Sequence, residues 1–183
     1  STTSYWDFDR DDSDGALKIA DTGTERMRID ASGHAIIPAG VTLGTATGVY
    51  AAANTLDDYE EGTWTPVLVG STTAGTATFV SGPVGIYTKI GNQVTVYFNW
   101  NISAHTGAGA LRVTGLPFAL GAGVGVGSVM DGNYTYTPSR TRLVPWVSTS
   151  TLRLYGLGDG VGYNENVLDT SHQMNGSVTY TTA

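Results

Sequence analysis

The run Gly85-Ile86-Tyr87-Thr88-Lys89-Ile90-Gly91-Asn92-Gln93-Val94-Thr95-Val96-Tyr97-Phe98-Asn99-Trp100-Asn101-Ile102 decides the fold class. Within it Val94, Val96, Phe98, Trp100 and Ile102 alternate with Thr95, Tyr97, Asn99 and Asn101. A strand sends successive side chains to opposite faces, so the run reads as one strand with a dry face and a wet one. Gly91-Asn92 ahead of it is a two-residue hairpin signal, because such turns need a positive φ that glycine adopts freely. Setting Ile90 opposite Gln93 brings Tyr87 opposite Val96, on the dry face.

Downstream and just upstream the same signal recurs at Trp64–Val69, Thr76–Val80, Ala110–Thr114, Val124–Met130, Thr141–Val147, Leu152–Tyr155 and Ser177–Thr181. Asp159-Gly160 and Asn175-Gly176 read as turns. No helical periodicity of ten residues or more appears. About eight to ten strands in one block predict an antiparallel β-sandwich, jelly-roll-like, over 64–183. The chain is all-β on this reading.

The opening 56 residues are built differently. Ser4–Phe8, Ala16–Ile19, Glu25–Ile29 and His34–Ile37 are short alternating pieces, separated by Asp14-Gly15, Thr22-Gly23 and Ser32-Gly33. They carry few apolar side chains. Ordering one residue costs roughly 1–2 kcal/mol, and burial returns only about 25 cal/mol per Å². A module this sparse is expected to complete its core with other copies of itself across a symmetry axis, as a β stem over 1–56. Residues 57–63, Asp-Asp-Tyr-Glu-Glu-Gly-Thr, break the alternation and are expected to be a linker or one helical turn.

Composition narrows the function. Charged residues are 14% of the 183, below the usual quarter, and Gly reaches 25, which suits strands and tight turns rather than a helical enzyme. Net charge is -7, with no Lys/Arg cluster, which disfavours nucleic acid and anionic membranes and leaves an uncharged glycan or protein as the better partner. There is no cysteine, hence no disulfide framework or thiolate site. No apolar run is long enough to span a bilayer. The start, Ser1-Thr2-Thr3-Ser4, has no initiator Met and no signal-like pattern, so a fragment of a longer chain is expected.

No catalytic constellation stands out. His34, His105 and His172 are isolated in sequence and are expected at the surface, with no catalytic role. Asp9 to Gly15 resembles a calcium loop, but the sixth position holds Asp14 instead of Gly and the twelfth holds Ala20 instead of Glu, so a solvated turn is expected and no metal. Asp57, Asp58, Glu60 and Glu61 are contiguous and should ionise normally, unlike a glycosidase acid. The alternating glycines Gly121, Gly123, Gly125 and Gly127 miss the dinucleotide spacing, because Val126 stands where the third glycine belongs. They leave one strand face bare for close packing. No cofactor is expected.

Binding is a better candidate. Sugars stack C–H faces on Trp and Tyr while Asp and Asn take the hydroxyls. Asp131, Asn133, Tyr134 and Tyr136 combine turn residues with such groups, and Trp146, Tyr155, Asp159 and Asn164, together with Tyr163 and Asn166, are placed to join them in space. Trp64 and Trp100 sit in strong strand patterns and belong to the core.

Four stretches resemble phage tail-fibre proteins. Gly23-Thr24-Glu25-Arg26-Met27-Arg28-Ile29-Asp30-Ala31-Ser32-Gly33 is similar to a fibre motif that often precedes an intramolecular chaperone. Asn54 to Pro66, which ends in LDDYEEGTWTP, resembles a second. Gly85 to Val94 and Val113-Thr114-Gly115-Leu116-Pro117-Phe118 resemble two more, and the order along the chain agrees. The resemblance covers roughly 20–120 and supplies no catalytic residues. It implies a homotrimer in the virion, outside the cell, attached to other tail proteins through a preceding segment and meeting a bacterial surface glycan or outer-membrane receptor at its tip. A purely structural fibre or decoration segment is the alternative, and a glycan depolymerase a third.

Overall fold

The computed structural model describes residues 5–43, 55–56, 58–136, 138–165 and 169–183. Expectations that fell on Ser4, Asn54, Asp57, Thr137 and Asn166 lie outside them. Among the described residues every regular element is a β-strand and none is a helix. The chain divides into two compact units, Ser1–Asp58 and Tyr59–Ala183.

The first unit holds a four-stranded antiparallel meander of β1 (Trp6–Asp11), β2 (Ala16–Asp21), β3 (Thr24–Ile29) and β4 (Ala35–Ile36). A two-stranded pair, β5 (Val41–Thr42) with β6 (Thr55–Leu56), accompanies it. The acidic run at the β1–β2 turn is consumed locally. Asp11 accepts from the Ser13 N–H at 2.9 Å, and Asp14 from the Ala16 N–H at 3.0 Å. Lys18 pairs with both carboxylates, and Arg28 reaches Asp14 at 3.0 Å. These partners hold both carboxyls below the usual range, Asp11 chiefly through Lys18 and Asp14 chiefly through the Ala16 amide. Ala16 is this unit's one buried apolar residue among those described, while Tyr5, Trp6, Phe8, Leu17, Ile29, Ile36, Val41, Leu43 and Leu56 are exposed.

The second unit is one antiparallel sheet of ten strands. They are β7 (Tyr59–Trp64), β8 (Val67–Gly70), β9 (Ala77–Ile90), β10 (Gln93–His105), β11 (Leu111–Thr114), β12 (Gly125–Gly132), β13 (Arg142–Ser148), β14 (Thr151–Gly158), β15 (Val161–Glu165) and β16 (His172–Thr181). Their spatial order is β7-β9-β10-β16-β12-β13-β14-β11-β8, with β15 paired to β14. The two ends of that order, β7 and β8, are separated in the chain by Thr65 and Pro66 alone. Three residue steps reach at most about 11 Å, so the sheet has to curl until its edges approach. Proline, having no N–H, suits the point where the ladder is broken.

Curling turns one face of every strand inward. The alternation read in β10 is realised: Val94, Val96, Phe98 and Trp100 are fully buried and Ile102 nearly so. Leu111 and Val113, Leu152 and Leu154, and Met174 and Val178 meet them from other strands. Phe98 and Trp100 stack at 5.0 Å. The hairpin register matches the expectation, with Ile90 opposite Gln93 and Tyr87 opposite Val96, and Gly91 at φ 56°. Gly127 explains the bare strand face: a Cβ there would lie 1.9 Å from the Ser177 carbonyl oxygen across the β12–β16 ladder.

Several expectations are corrected. Where a jelly-roll-like sandwich was expected, the second unit is one curled sheet whose two end strands, β7 and β8, are joined through Thr65-Pro66. Residues 59–63 are not a linker or helical turn. Within the expected 57–63 segment they form most of edge strand β7, laddered on β9 from Tyr59↔Ile90 to Trp64↔Gly85. Asn175-Gly176 is no turn and lies inside β16, where the missing side chain admits the Phe98 ring. His105 and His172 are buried, not at the surface. His105 is held by the Leu68 carbonyl and the Gly107 N–H, and His172 by Trp100.

Candidate functional site

The eight residues expected at a binding site fall into two groups with different environments. The first surrounds the end of β12. Tyr134 is buried, 7% exposed, and joins the core instead of facing solvent. Its ring meets His172 edge-on at 5.0 Å and Tyr136 at 5.9 Å. Tyr136 donates its hydroxyl to Asp131 at 2.6 Å, and burial followed by that carboxylate pushes its phenol well above the usual range. His172 accepts from Trp100 Nε1 at 3.0 Å on Nε2 and donates from Nδ1 to the Asp169 carbonyl at 3.1 Å. Burial pushes its pKa down. Burial raises the Asp169 carboxyl, yet the Thr135 and Ser171 amides outweigh that and leave it below the usual range.

Asp131, Tyr134 and Tyr136 therefore spend their polar atoms and ring faces on one another and on His172. The reason is positional. β12 ends beside the start of β16, Gly132 opposite Gln173, so the following loop folds over the open end of the core. Asn133 alone in this group is exposed, in a turn at φ 58°.

Of the second group, Trp146 and Tyr155 lie on the outer face of β13 and β14, with Tyr163 of β15 on the same face. Strand alternation sends Leu143 and Val147, and Leu152 and Leu154, inward, which sends Trp146, Arg153 and Tyr155 outward. Trp146 and Tyr155 are half-buried, with rings 5.8 Å apart edge-to-face. Tyr163, 62% exposed, stacks on Trp146 at 6.3 Å with planes 18° apart and stands edge-on to Tyr155 at 5.4 Å. Asn164 is exposed but lies opposite Gly156, so alternation with Tyr163 and Glu165 turns its side chain to the other face of the sheet. Oriented to satisfy its neighbours, its amide donates to the Tyr163 carbonyl at 2.9 Å and accepts from Arg140 Nη2 at 3.1 Å. Asp159 is exposed in the β14–β15 turn, with Gly160 at φ 70°.

An ion-pair cluster braces this face. Glu165 takes Arg112 at 3.0 Å and Arg153 at 2.8 Å. Arg140 and this cluster were not foreseen. The alternation Leu152-Arg153-Leu154-Tyr155 is the signal that places Arg153 beside the aromatics. Together the outer face presents three clustered aromatic rings beside guanidinium and carboxylate groups, which is equipment for holding a polyol by stacking and hydrogen bonds. Surface depressions of about 300 to 380 Å³ are lined by other residues. Among the described residues no group of three or more His, Asp or Glu is placed to hold a metal ion.

No family model matches the chain, and no curated protein matches it. Among solved structures the chain is similar to the Dettilon tailspike protein, with a TM-score of 0.43 and 16% identity over 67% of this chain and 24% of that one. The chain thus spans about a quarter of that protein's length. No helix among the described residues is long and apolar enough to cross a membrane.

Proposed function

We propose that this chain is the distal part of a homotrimeric phage tail fibre, carried on the virion, that attaches to the bacterial surface by binding a glycan and performs no catalysis. The observation that carries the binding half is the outer aromatic face, with Tyr163 62% exposed on a half-buried Trp146 and the Arg153–Glu165 ion pair on the same face. The trimeric half rests on the first unit, whose large apolar side chains are mostly exposed, and on the fibre-like stretches of the sequence. Of the eight expected site residues, Trp146 and Tyr155 belong to this face, while Asn164, Asp159 and Asn133 are exposed elsewhere.

The test is competition. Purified chain should block adsorption of a phage bearing it to its host, and Trp146→Ala with Tyr163→Ala should raise the blocking concentration at least tenfold without changing the protein's mass in solution. Unchanged blocking by the double variant, together with no binding on a glycan array, would sink the reading. A second reading, a structural segment without receptor contact, draws on the internal use of Asp131, Tyr134 and Tyr136. It expects no competition by the wild-type chain. A depolymerase would need a carboxylate pair about 5–9.5 Å apart in a groove, and a reducing-sugar assay on host polysaccharide is expected to stay at background.

A further inference from the structure

The outer surface of the second unit is not uniform. The β13–β14–β11 side carries Arg112, Arg142 and Arg153, with Glu165 of β15 beside them. The β7–β9–β10–β16–β12 side is different. Its registers place Thr63, Ile86, Tyr97, Ser177 and Ser128 in one cross-strand row. The next row runs Glu61, Thr88, Thr95, Thr179 and Val126. On the other side lie Val84, Asn99, Asn175 and Met130. Glu61 is the one charge in these rows, and it accepts from the Tyr59 hydroxyl at 2.8 Å.

Apolar exposure on this face is confined to its two margins and Tyr97. On the β7–β9 margin Tyr59 is 58%, Val84 53%, Ile86 50% and Ile90 53% exposed. On the β12 margin Val126 is 55% and Met130 68% exposed. Between them β10 and β16 present mainly Thr, Ser and Asn. Five strands at about 4.8 Å and some ten residues at about 3.3 Å make a face of about 800 Å², the area one partner gives to a stable interface.

We infer that this face is where copies of the second unit meet, the β12 margin of one packing on the β7–β9 margin of the next, with the hydroxyl-rich strip toward a threefold axis. The inference rests on the trimer proposed above and adds the surface that forms it. Its occupant is a second copy because of charge. A chain of net charge -7 repels itself, so copies associate through a face that contributes almost no charge. Two unlike apolar margins on one subunit are what a head-to-tail ring needs, since each interface joins different patches. A shallow depression of about 300 Å³ beside Tyr97, Ser128 and Met130 gives the facing side chains room to interdigitate.

The chain has no cysteine, so paired substitutions read the contact directly. Ile86→Cys with Met130→Cys, in the full chain, cannot bridge within one subunit, because three strand spacings of about 4.8 Å exceed the reach of a disulfide. Oxidation should give a reducible ladder ending at a trimer on a denaturing gel, while a control pair, Ile86→Cys with Tyr163→Cys, should not. Light scattering of the wild type separates the two layers of the argument. A trimer of about three times 19.1 kDa whose 86–130 pair fails to cross-link overturns the assigned face and leaves the trimer standing. A monomer overturns both, and a ladder that stops at dimers overturns the threefold arrangement.

Discussion

Lowering the pH should loosen the second unit through His172. Its Nε2 accepts from Trp100 Nε1 at 3.0 Å while Nδ1 donates to the Asp169 carbonyl, so the neutral ring uses both nitrogens. Protonating Nε2 would face two donors against each other in a site where His172 is 1% exposed. Burial accordingly lowers its pKa from the ordinary 6.5. The sign follows. Above pH 6.5 both folded and unfolded chains hold a neutral ring. As pH falls below 6.5 the unfolded chain takes up the proton and the folded one does not, so stability is lost until the folded pKa is reached. The slope is about 1.4 kcal/mol per pH unit, which caps the loss between pH 7.5 and 5 at about 2 kcal/mol. Carboxyls held low, such as Asp14, Glu25, Asp30 and Asp169, exchange protons below this window and do not obscure it. The assay is urea unfolding followed by tryptophan fluorescence at fixed protein concentration. His172→Gln keeps an acceptor for Trp100, should cost about 1–3 kcal/mol at pH 7.5, and should flatten the profile between pH 7.5 and 5. His34 and His105 remain in the variant, so the difference reads His172 alone. An equal slope in variant and wild type would refute the argument.

Two further outcomes follow from the packing. Gly127→Ala puts a Cβ 1.9 Å from the Ser177 oxygen and forces β12 and β16 apart, so a loss of at least about 2 kcal/mol is expected by urea titration; less than about 0.5 would mean the ladder is looser than described. Phe98→Ala empties a fully buried site against Trp100 and Gly176 and should cost about 3–5 kcal/mol on the same measurement, with a near-neutral result counting against a single shared core.

The legible part of the fold was the part where one face is dry. β10 declares itself because every second residue from Val94 to Ile102 is apolar, and the Gly91-Asn92 turn then fixes the register of β9 without ambiguity. β7 was illegible for the opposite reason. It is an edge strand with Glu60, Glu61 and Gly62 in it, and its membership comes from the ladder to β9 rather than from any side-chain pattern. Asn175-Gly176 misled because the dipeptide also serves a strand where a neighbour's ring, here Phe98, needs the space. The site was half legible. Trp146 and Tyr155 could be placed on one face by alternation within their strands. Tyr134 was read as exposed because its loop composition is polar, yet a curled sheet has open ends that something must cover, and the loop after β12 does so. Composition says that a segment is a loop; only closure of the sheet says over what it lies.

The two units should answer differently to dilution. The second unit buries Trp64, Phe98, Trp100, Leu152, Met174 and others within one chain, so its core is complete before any partner arrives. The first unit buries one described apolar side chain, Ala16, and leaves Trp6 and Phe8 59% and 72% exposed. Its ion pairs at the Lys18 and Arg28 cluster are too solvent-accessible to replace a core. If other copies complete the first unit, its folding depends on protomer concentration, since whatever binds only the folded state stabilises it by mass action. Hydrogen exchange at two concentrations spanning dissociation should then show β1 to β4 amides losing protection on dilution while β10 and β16 keep theirs. Equal protection of β1 to β4 in a dilute monomer would show that twenty-odd ordered strand residues stand without a core, and the reasoning from sparse burial to assembly would fail at its first step.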